Sequence, residues 1–431
     1  MQTYGRITDS NWTFIDWRFG FTPNLAEEPA LLGDQRTIGR RALLLQIRKM
    51  GPVPRIELAE QTGISRATVT PITAELLEHG LIEEVPVEPK GKDFKRGRPK
   101  VDLKTRGNAY LIAGAKLANK SIAIVLANFE GEVVCEHEAA LSKISYDPKE
   151  FAEVFRAELE TATNKIDNGY EDISAVGLGL AGIVDAQEGI VRWSPSLKDR
   201  NVPLKRILGE HLEKPIFIDN DANLVAKAEQ HFGKGKNVSD FIVVTIENGV
   251  GMGIVLNNEL YRGTRGCGAE FGHTKVHLDG ALCRCGQRGC LEAYVADYAL
   301  LREFAVSREH TSNNGNGDDV ATLIRAAKDG DKMAKSILDR AARMFAMGLS
   351  NLINIFDPQL IILSGERMQL DFLYADDVLQ SIKDIVVQVD AAPPEIVVHR
   401  WGDMMWAKGA AAFAIEGLVD IALTEMAEDV S

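Results

Sequence analysis

Apolar and polar positions along the chain change period near residue 109. Before it the spacing is helical. Ile38, Ala42, Leu45 and residues 47–50 form one stripe, stopped by Gly51-Pro52. A second short helix is predicted from about Pro54 to Thr62, ending at Gly63. A third begins after Ser65, a good N-cap, and ends at Gly80. Residues 81–85 (LIEEV) read as a strand, and a basic, proline-bearing stretch follows over 86–99. Three helices and a strand ribbon in this order predict a winged helix-turn-helix. After residue 109 the pattern becomes mixed. Residues 110–114, 122–126, 133–134, 175–180, 216–218, 241–246 and 360–363 read as strands, the third of them after a turn at Glu130-Gly131. Helices are predicted over 151–164 and 333–355, and an amphipathic one over 408–426. This alternation predicts an α/β body, with two lobes and a cleft between them. The chain therefore divides into an N-terminal extension (1–35), a winged helix-turn-helix with its linker (36–100) and the two-lobe body (101–431). Residues 311–319 read as a polar loop.

Composition narrows the class. With 45% hydrophobic and 26% charged residues, the 431-residue chain is neither collagen-like nor disordered. No apolar run reaches the roughly 20 residues of a membrane span. The first thirty residues lack the basic start and apolar run of a secretory signal. Five cysteines are too few for a disulfide framework. Three of them crowd together, which points to metal in a reducing compartment, so a cytoplasmic location is expected. The net charge of −13 argues against nucleic acid, but the distribution reverses that reading. Residues 36–100 hold 13 Lys/Arg against 8 Asp/Glu, and the rest of the chain holds 36 against 54. A basic module on an acidic body predicts DNA contact at one end only.

Within the basic module, the helices on either side of Gly63 are spaced as a helix-turn-helix, whose second helix enters the major groove. Ser65, Arg66, Thr68 and Thr70 on that helix, with Arg55 at the start of the preceding one, are the candidate DNA contacts. Ala67 and Val69 are expected to pack or to touch a thymine methyl. Pro71 falls inside the same helix, where it removes one backbone hydrogen bond and is expected to kink or break it. Arg96-Gly97-Arg98 can enter an A·T-rich minor groove, whose narrow walls deepen the negative potential. The competing readings are a three-helix protein-interaction domain and a solvated linker.

The chemistry of the body concentrates in residues 266–292. Cys283, Cys285 and Cys290 lie within eight residues, with Gly286 and Gly289 permitting a tight turn and His273 ten residues upstream. Three thiolates and one imidazole fill a tetrahedral Zn²⁺ shell. His277 is a rival fourth ligand. Cys135 and Cys267 read as small apolar residues.

His273 with Cys283-x-Cys285-Gly286-x-x-Gly289-Cys290-Leu291-Glu292 resembles the signature of the ROK family, which contains repressors and sugar kinases. The resemblance extends over about residues 38–417. It includes the runs 177–185 (GLGLAGIVD), 219–223 (DNDAN), 249–253 (GVGMG) and Tyr261-Arg262-Gly263. It implies an actin-like, sugar-kinase-type fold of ribonuclease-H-like lobes and a structural zinc. It also implies a sugar pocket built from Asn220, Asp221, Glu270, His273 and Glu292. Carboxylates and an amide suit that task, because they meet hydroxyl groups in fixed directions. His273 would hold zinc with one nitrogen and face the sugar with the other. Asn220-Asp221 can also be read as a turn cap. Where many members carry an Asn-Leu pair, this chain has Ser196-Leu197.

Family kinases carry an Asp-x-Gly-Gly-Thr-Lys phosphate loop after the first strand. Here the matching run is Lys116-Leu117-Ala118-Asn119-Lys120-Ser121, with no glycine. The Gly-Thr-Gly loop of the kinases reads Glu247-Asn248-Gly249, and a third glycine-rich stretch reads Leu363-Ser364-Gly365-Glu366. Phosphoryl transfer needs a backbone cradle for phosphate. Three interrupted cradles therefore predict a sugar-responsive, DNA-binding repressor rather than a kinase. Operator DNA and a sugar are the expected partners, and a homodimer or tetramer is expected because palindromic operators need two readers.

Overall fold

The computed structural model describes residues 35–86, 101–118, 120–264, 266, 268–309, 319–365, 376–387, 392–400, 402 and 404–428. The extension through residue 34, Arg96 and Arg98, most of the polar loop and Cys267 lie outside the described residues. The N-terminal helices are α1 (Gln35–Met50), α2 (Arg55–Thr62) and α3 (Arg66–Glu78). Strand β1 (Ile82–Pro86) pairs antiparallel with β2 (Val101–Thr105), and Val53 bridges to Leu103. The winged helix thus continues past residue 100, where the sequence reading placed the start of the body. Its second strand is short and follows a polar run, which hid it from the pattern.

The first lobe is an antiparallel meander of β3 (Leu111–Leu117), β4 (Ser121–Asn128) and β5 (Val133–Ala140). It is followed by α4 (Pro148–Thr163), β6 (Ile173–Leu180), the hairpin β7 (Ile183–Asp185) and β8 (Ile190–Trp193), α5 (Leu204–Leu212) and β9 (Ile216–Asn220). The sheet order is β5-β4-β3-β6-β9, with β6 parallel to β3 and β9 parallel to β6. Helix α6 (Asp221–Phe232) leads into the second lobe. There β10 (Phe241–Ile246), β11 (Val250–Leu256) and β12 (Glu259–Tyr261) form another antiparallel meander. Then come α7 (Glu292–Val295), α8 (Asp297–Glu309), α9 (Val320–Lys328), α10 (Lys332–Phe356), β13 (Leu360–Ser364), α11 (Asp376–Ile385) and β14 (Glu395–Val398). The order β12-β11-β10-β13-β14 repeats the strand plan of the first lobe. Two lobes on one strand plan are the actin-like, ribonuclease-H-like arrangement.

The last helix, α12 (Met405–Glu428), departs from its expected amphipathic character. Alanines and large apolar residues face inward around most of its circumference, from Trp406 and Ala407 to Leu423 and Met426. It lies across the first-lobe sheet at backbone distance. A Cβ on Gly114 would stand 2.1 Å from the Ala407 carbonyl oxygen, and one on Gly177 would stand 2.0 Å from that of Ala410. Glycine in the sheet and alanine in the helix are what permit this contact. Beyond the sheet, α12 meets α1. Leu43, Leu44 and Ile47 of the winged helix share one apolar core with Ile415, Leu418 and Leu423. Arg41 and Asp420 bond at its rim, 2.6 Å apart.

Candidate functional site

The N-terminal module presents one exposed helical surface. Gly63 ends α2 in the left-handed region (φ +71°) and turns the chain into α3. The Ser65 hydroxyl caps α3 by accepting from the Thr68 N–H and lies 2.8 Å from the Thr68 hydroxyl. Arg66, Ala67, Thr68, Thr70 and Pro71 are exposed, while Val69, Ile72 and Leu76 are buried. Val69 is therefore a packing residue. Thr70 donates back to the Arg66 carbonyl, and Arg66 stands 3.5 Å from Glu60 across the helix-turn-helix. Arg55 is held within the module, donating to Thr73 and Glu84 at 3.0 Å each. Helix α3 runs unbroken through Pro71, which points outward.

In the body, β9 ends where α6 begins, and this junction places two of the expected pocket residues. The Asn220 side chain accepts from the Ala222 N–H and donates to the Gly182 carbonyl at 2.7 Å. It thus caps α6, as the turn-cap reading supposed, and also ties β9 to the strand-end turn beside it. Asp219, fully buried, is paired with Arg262 from the second lobe at 2.7 Å. Burial pushes the Asp221 carboxyl above the usual range, and the Lys116 charge opposes that shift.

Glu270 follows Ala269, a non-glycine residue held at φ +68°. Such strain clusters at functional positions. Burial raises the Glu270 carboxyl as well; His273 opposes, while Glu292 and Asp221 push the same way. The charges of His273, Glu292 and Asp221 thus all act on Glu270. His273 stands 3.9 Å from Glu270 through Nε2 and 3.7 Å from the Cys283 sulfur through Nδ1. Its two ring nitrogens face a carboxylate on one side and a thiol on the other.

His273, Cys283, Cys285 and Cys290 bring their ligand atoms within 4.8 Å of one another and could hold a metal ion. Cys285 and Cys290 sulfurs lie 3.7 Å apart, and Lys275 donates to the Cys290 sulfur at 2.9 Å. His277 instead faces the Tyr294 hydroxyl at 3.2 Å, outside the cluster. Glu292, the first residue of α7, joins cluster to pocket. One oxygen accepts from Tyr298 at 3.3 Å and from Cys283 at 3.5 Å; the other accepts from the Val250 N–H at 3.4 Å. Tyr298 also donates toward Cys283 at 3.5 Å. Ser196 is buried beside Ser194.

Two departures from the kinase pattern meet in space. Lys116, on β3 of the first lobe, pairs with Glu247, in the β10–β11 turn of the second, at 3.5 Å. The same ammonium sits 3.3 Å from the centre of the Trp406 ring. A cation at the end of β3 and an anion in the β10–β11 turn, from opposite lobes and backed by an indole, thus meet in one ion pair at positions where the kinase pattern differs.

Residues 113–416 match the ROK family, and residues 37–86 match the MarR family. A xylose repressor of Caldicellulosiruptor bescii is 30% identical over 367 residues, covering 81% of this chain and 90% of the relative. The dual regulator NagC of Escherichia coli is 28% identical over 355 residues, with 79% and 85% covered. Among solved structures, a ROK family transcriptional regulator described as a homologue of the E. coli Mlc protein superposes with TM-score 0.77 at 25% identity, covering 91% of this chain and 99% of that one. A ROK glucokinase from Streptomyces griseus, solved with glucose and AMPPNP, superposes at TM-score 0.60 with 29% identity, covering 70% and 99%. Among the described residues no helix is long and apolar enough to cross a membrane.

Proposed function

The chain belongs to the ROK family and carries a MarR-type winged helix, and from that premise we propose a repressor whose body senses a sugar and whose α3 reads operator DNA. It is a transcriptional regulator, not a kinase. The observation that carries this reading is the Lys116–Glu247 pair. One residue from each of two kinase phosphate-loop positions is spent on an internal salt bridge, so the cleft keeps a sugar pocket without a nucleotide cradle.

In this reading Asn220, Asp221, Glu270, His273 and Glu292 hold the sugar hydroxyls. Burial pushes the Asp221 and Glu270 carboxyls upward, and their oxygens accept from sugar hydroxyls. His273, Cys283, Cys285 and Cys290 hold zinc. With Zn–S bonds of about 2.3 Å, a tetrahedron has edges of about 3.8 Å, and the observed 3.7 Å separations fit. When bound, zinc supplies structural order by fixing the His273 ring. The exposed Arg66, Thr68 and Thr70 face base edges, and Ser65 sets the start of that helix. Arg55 supports α3 from behind through Thr73. Arg96 and Arg98 are assigned to the adjacent minor groove. Two copies of the chain, as a dimer or a dimer of dimers, place two readers on a palindromic site.

Thermal unfolding of the zinc-loaded protein tests this. D-xylose and N-acetyl-D-glucosamine, named by the relatives, lead a panel of sugars, sugar phosphates and ATP–Mg²⁺. One sugar is expected to raise the melting temperature. At a hundredfold excess over its Kd it adds about 2.7 kcal/mol, while ATP–Mg²⁺ adds nothing. Stabilisation by ATP–Mg²⁺ overturns the reading.

A further inference from the structure

Helix α6 starts at the proposed pocket and ends at the junction with the DNA-reading module. Asp221 and His231, ten positions apart, are separated by about 15 Å of helix. At the far end, Lys227 and His231 both donate to Glu416 of α12, the lysine at 2.9 Å and the imidazole at 2.6 Å. Lys227 is almost fully buried.

Arg48 of α1 faces this cluster from the winged helix. Its Nε and Nη1 are sealed from solvent and have no hydrogen-bond acceptor among the described residues. Its guanidinium lies against the β4–β5 turn, near Gly131 and Phe232. Glu416 is the one described carboxylate whose charge bears on it, and His231 feels its charge in turn. Two buried guanidinium N–H groups without an acceptor destabilise the state that contains them. A state in which they gain Glu416 removes that penalty. Glu416 is thus bonded to the two cations of α6, while Arg48 approaches the same junction from α1, beside Phe232, the residue after His231.

We propose that Glu416 is a two-position contact, bonded to Lys227 and His231 in the arrangement described and exchanging to Arg48 in the regulator's other state. A shift of α6 begun at the pocket then reaches α1, and through it the recognition helix. The inference rests on the sugar-responsive reading above and adds the residues that carry the signal. Small helix shifts at a bistable contact are a known way to move a rigid neighbour. These are positioning residues, since neither sugar nor DNA touches them.

The test uses full-length, zinc-loaded protein and a fluorescent duplex that the wild type selects from a random-sequence pool. DNA affinity is measured with and without D-xylose or N-acetyl-D-glucosamine, whichever raises the melting temperature. The wild type is expected to change affinity at least tenfold. Arg48→Met should keep the sugar-induced thermal shift and its sugar-free DNA affinity within threefold, yet respond to sugar less than threefold. Arg48→Lys should recover part of the response. Glu416→Gln, which preserves size, provides the same loss of response should Arg48→Met fold poorly. A full response in both Arg48→Met and Glu416→Gln overturns this proposal alone. A wild type whose DNA affinity ignores the sugar that stabilises it overturns the sugar-responsive reading, and this proposal with it.

Discussion

Tyr298 shows how a single hydroxyl can serve two purposes. It bonds Glu292 at 3.3 Å and Cys283 at 3.5 Å, so it fixes the Glu292 carboxylate against the cysteine cluster. Tyr298→Phe removes that tie without opening space. Sugar affinity is expected to fall several-fold, in line with about 1 kcal/mol for a lost hydrogen bond, while metal content measured by elemental analysis stays at one ion per chain. The cysteine spacing made the cluster legible, and the same stretch of sequence supplied Glu292. Tyr298 was not legible, because it lies past the break between α7 and α8 where no motif reaches. Lys116 and Glu247 illustrate the same limit. Each read as a separate defect, and only the fold brings residues 131 positions apart into one ion pair.

At the scale of elements, α3 offers the sharpest contrast between local rule and outcome. A proline inside a helix costs about 3 kcal/mol, yet α3 continues through Pro71 to Glu78. Its buried side, with Val69, Ile72 and Leu76 in the module core, compensates. Pro71→Ala should therefore raise stability by about 1–3 kcal/mol in urea unfolding. It should also alter DNA affinity, since Pro71 lies on the exposed face beside Thr68 and Thr70. The extents of α1 to α4 and α10 were readable from the sequence, but the buried side of α1 was not: it holds Leu43, Leu44 and Ile47, while Ile38 of the expected stripe is exposed. Strand β11 was not readable, because its glycines look like a loop. In the fold they are where α6 lies close to the strand: a Cβ on Gly253 would stand 2.6 Å from the Ala222 carbonyl oxygen. Helix α12 was misread as amphipathic because alanine hides a buried face as easily as an exposed one.

The whole molecule is held by charges buried at the junction of its parts. Burial lowers the His231 imidazole below its ordinary value of 6.5, although Glu416 opposes the shift. Burial alone would raise Glu416; the His231 hydrogen bond and the Lys227 charge outweigh it and hold that carboxylate far below the usual range. Burial also lowers Arg48 to about 10. The pH dependence follows from the sign of the His231 shift. With its folded value depressed, the unfolded chain binds more protons just below pH 6.5, so stability is complete above that point and declines as pH falls toward the folded value. His231→Gln keeps a donor for Glu416 but cannot titrate. Melting curves of the two proteins should coincide near pH 8 and diverge below pH 6.5, with the wild type losing on the order of 1 kcal/mol more. Lys227 and Arg48 are the other charged groups that face His231.

The apolar core shared by α1 and α12 also bears on how such a regulator can be rebuilt. Leu43, Leu44 and Ile47 belong to one apolar core that holds Leu58, Val69 and Ile72 of the reader and also Ile415, Leu418 and Leu423 from the opposite end of the chain. The reader is thus not a cassette. A chimera that joins this winged helix to a foreign sensor at residue 105 would expose the side of that core which α12 covers, whereas one that also transplants α12 would carry both halves of the joint. Change at either surface is likewise bound to the other, so new operator preferences are easier to reach on the outward face of α3 than on the helix behind it.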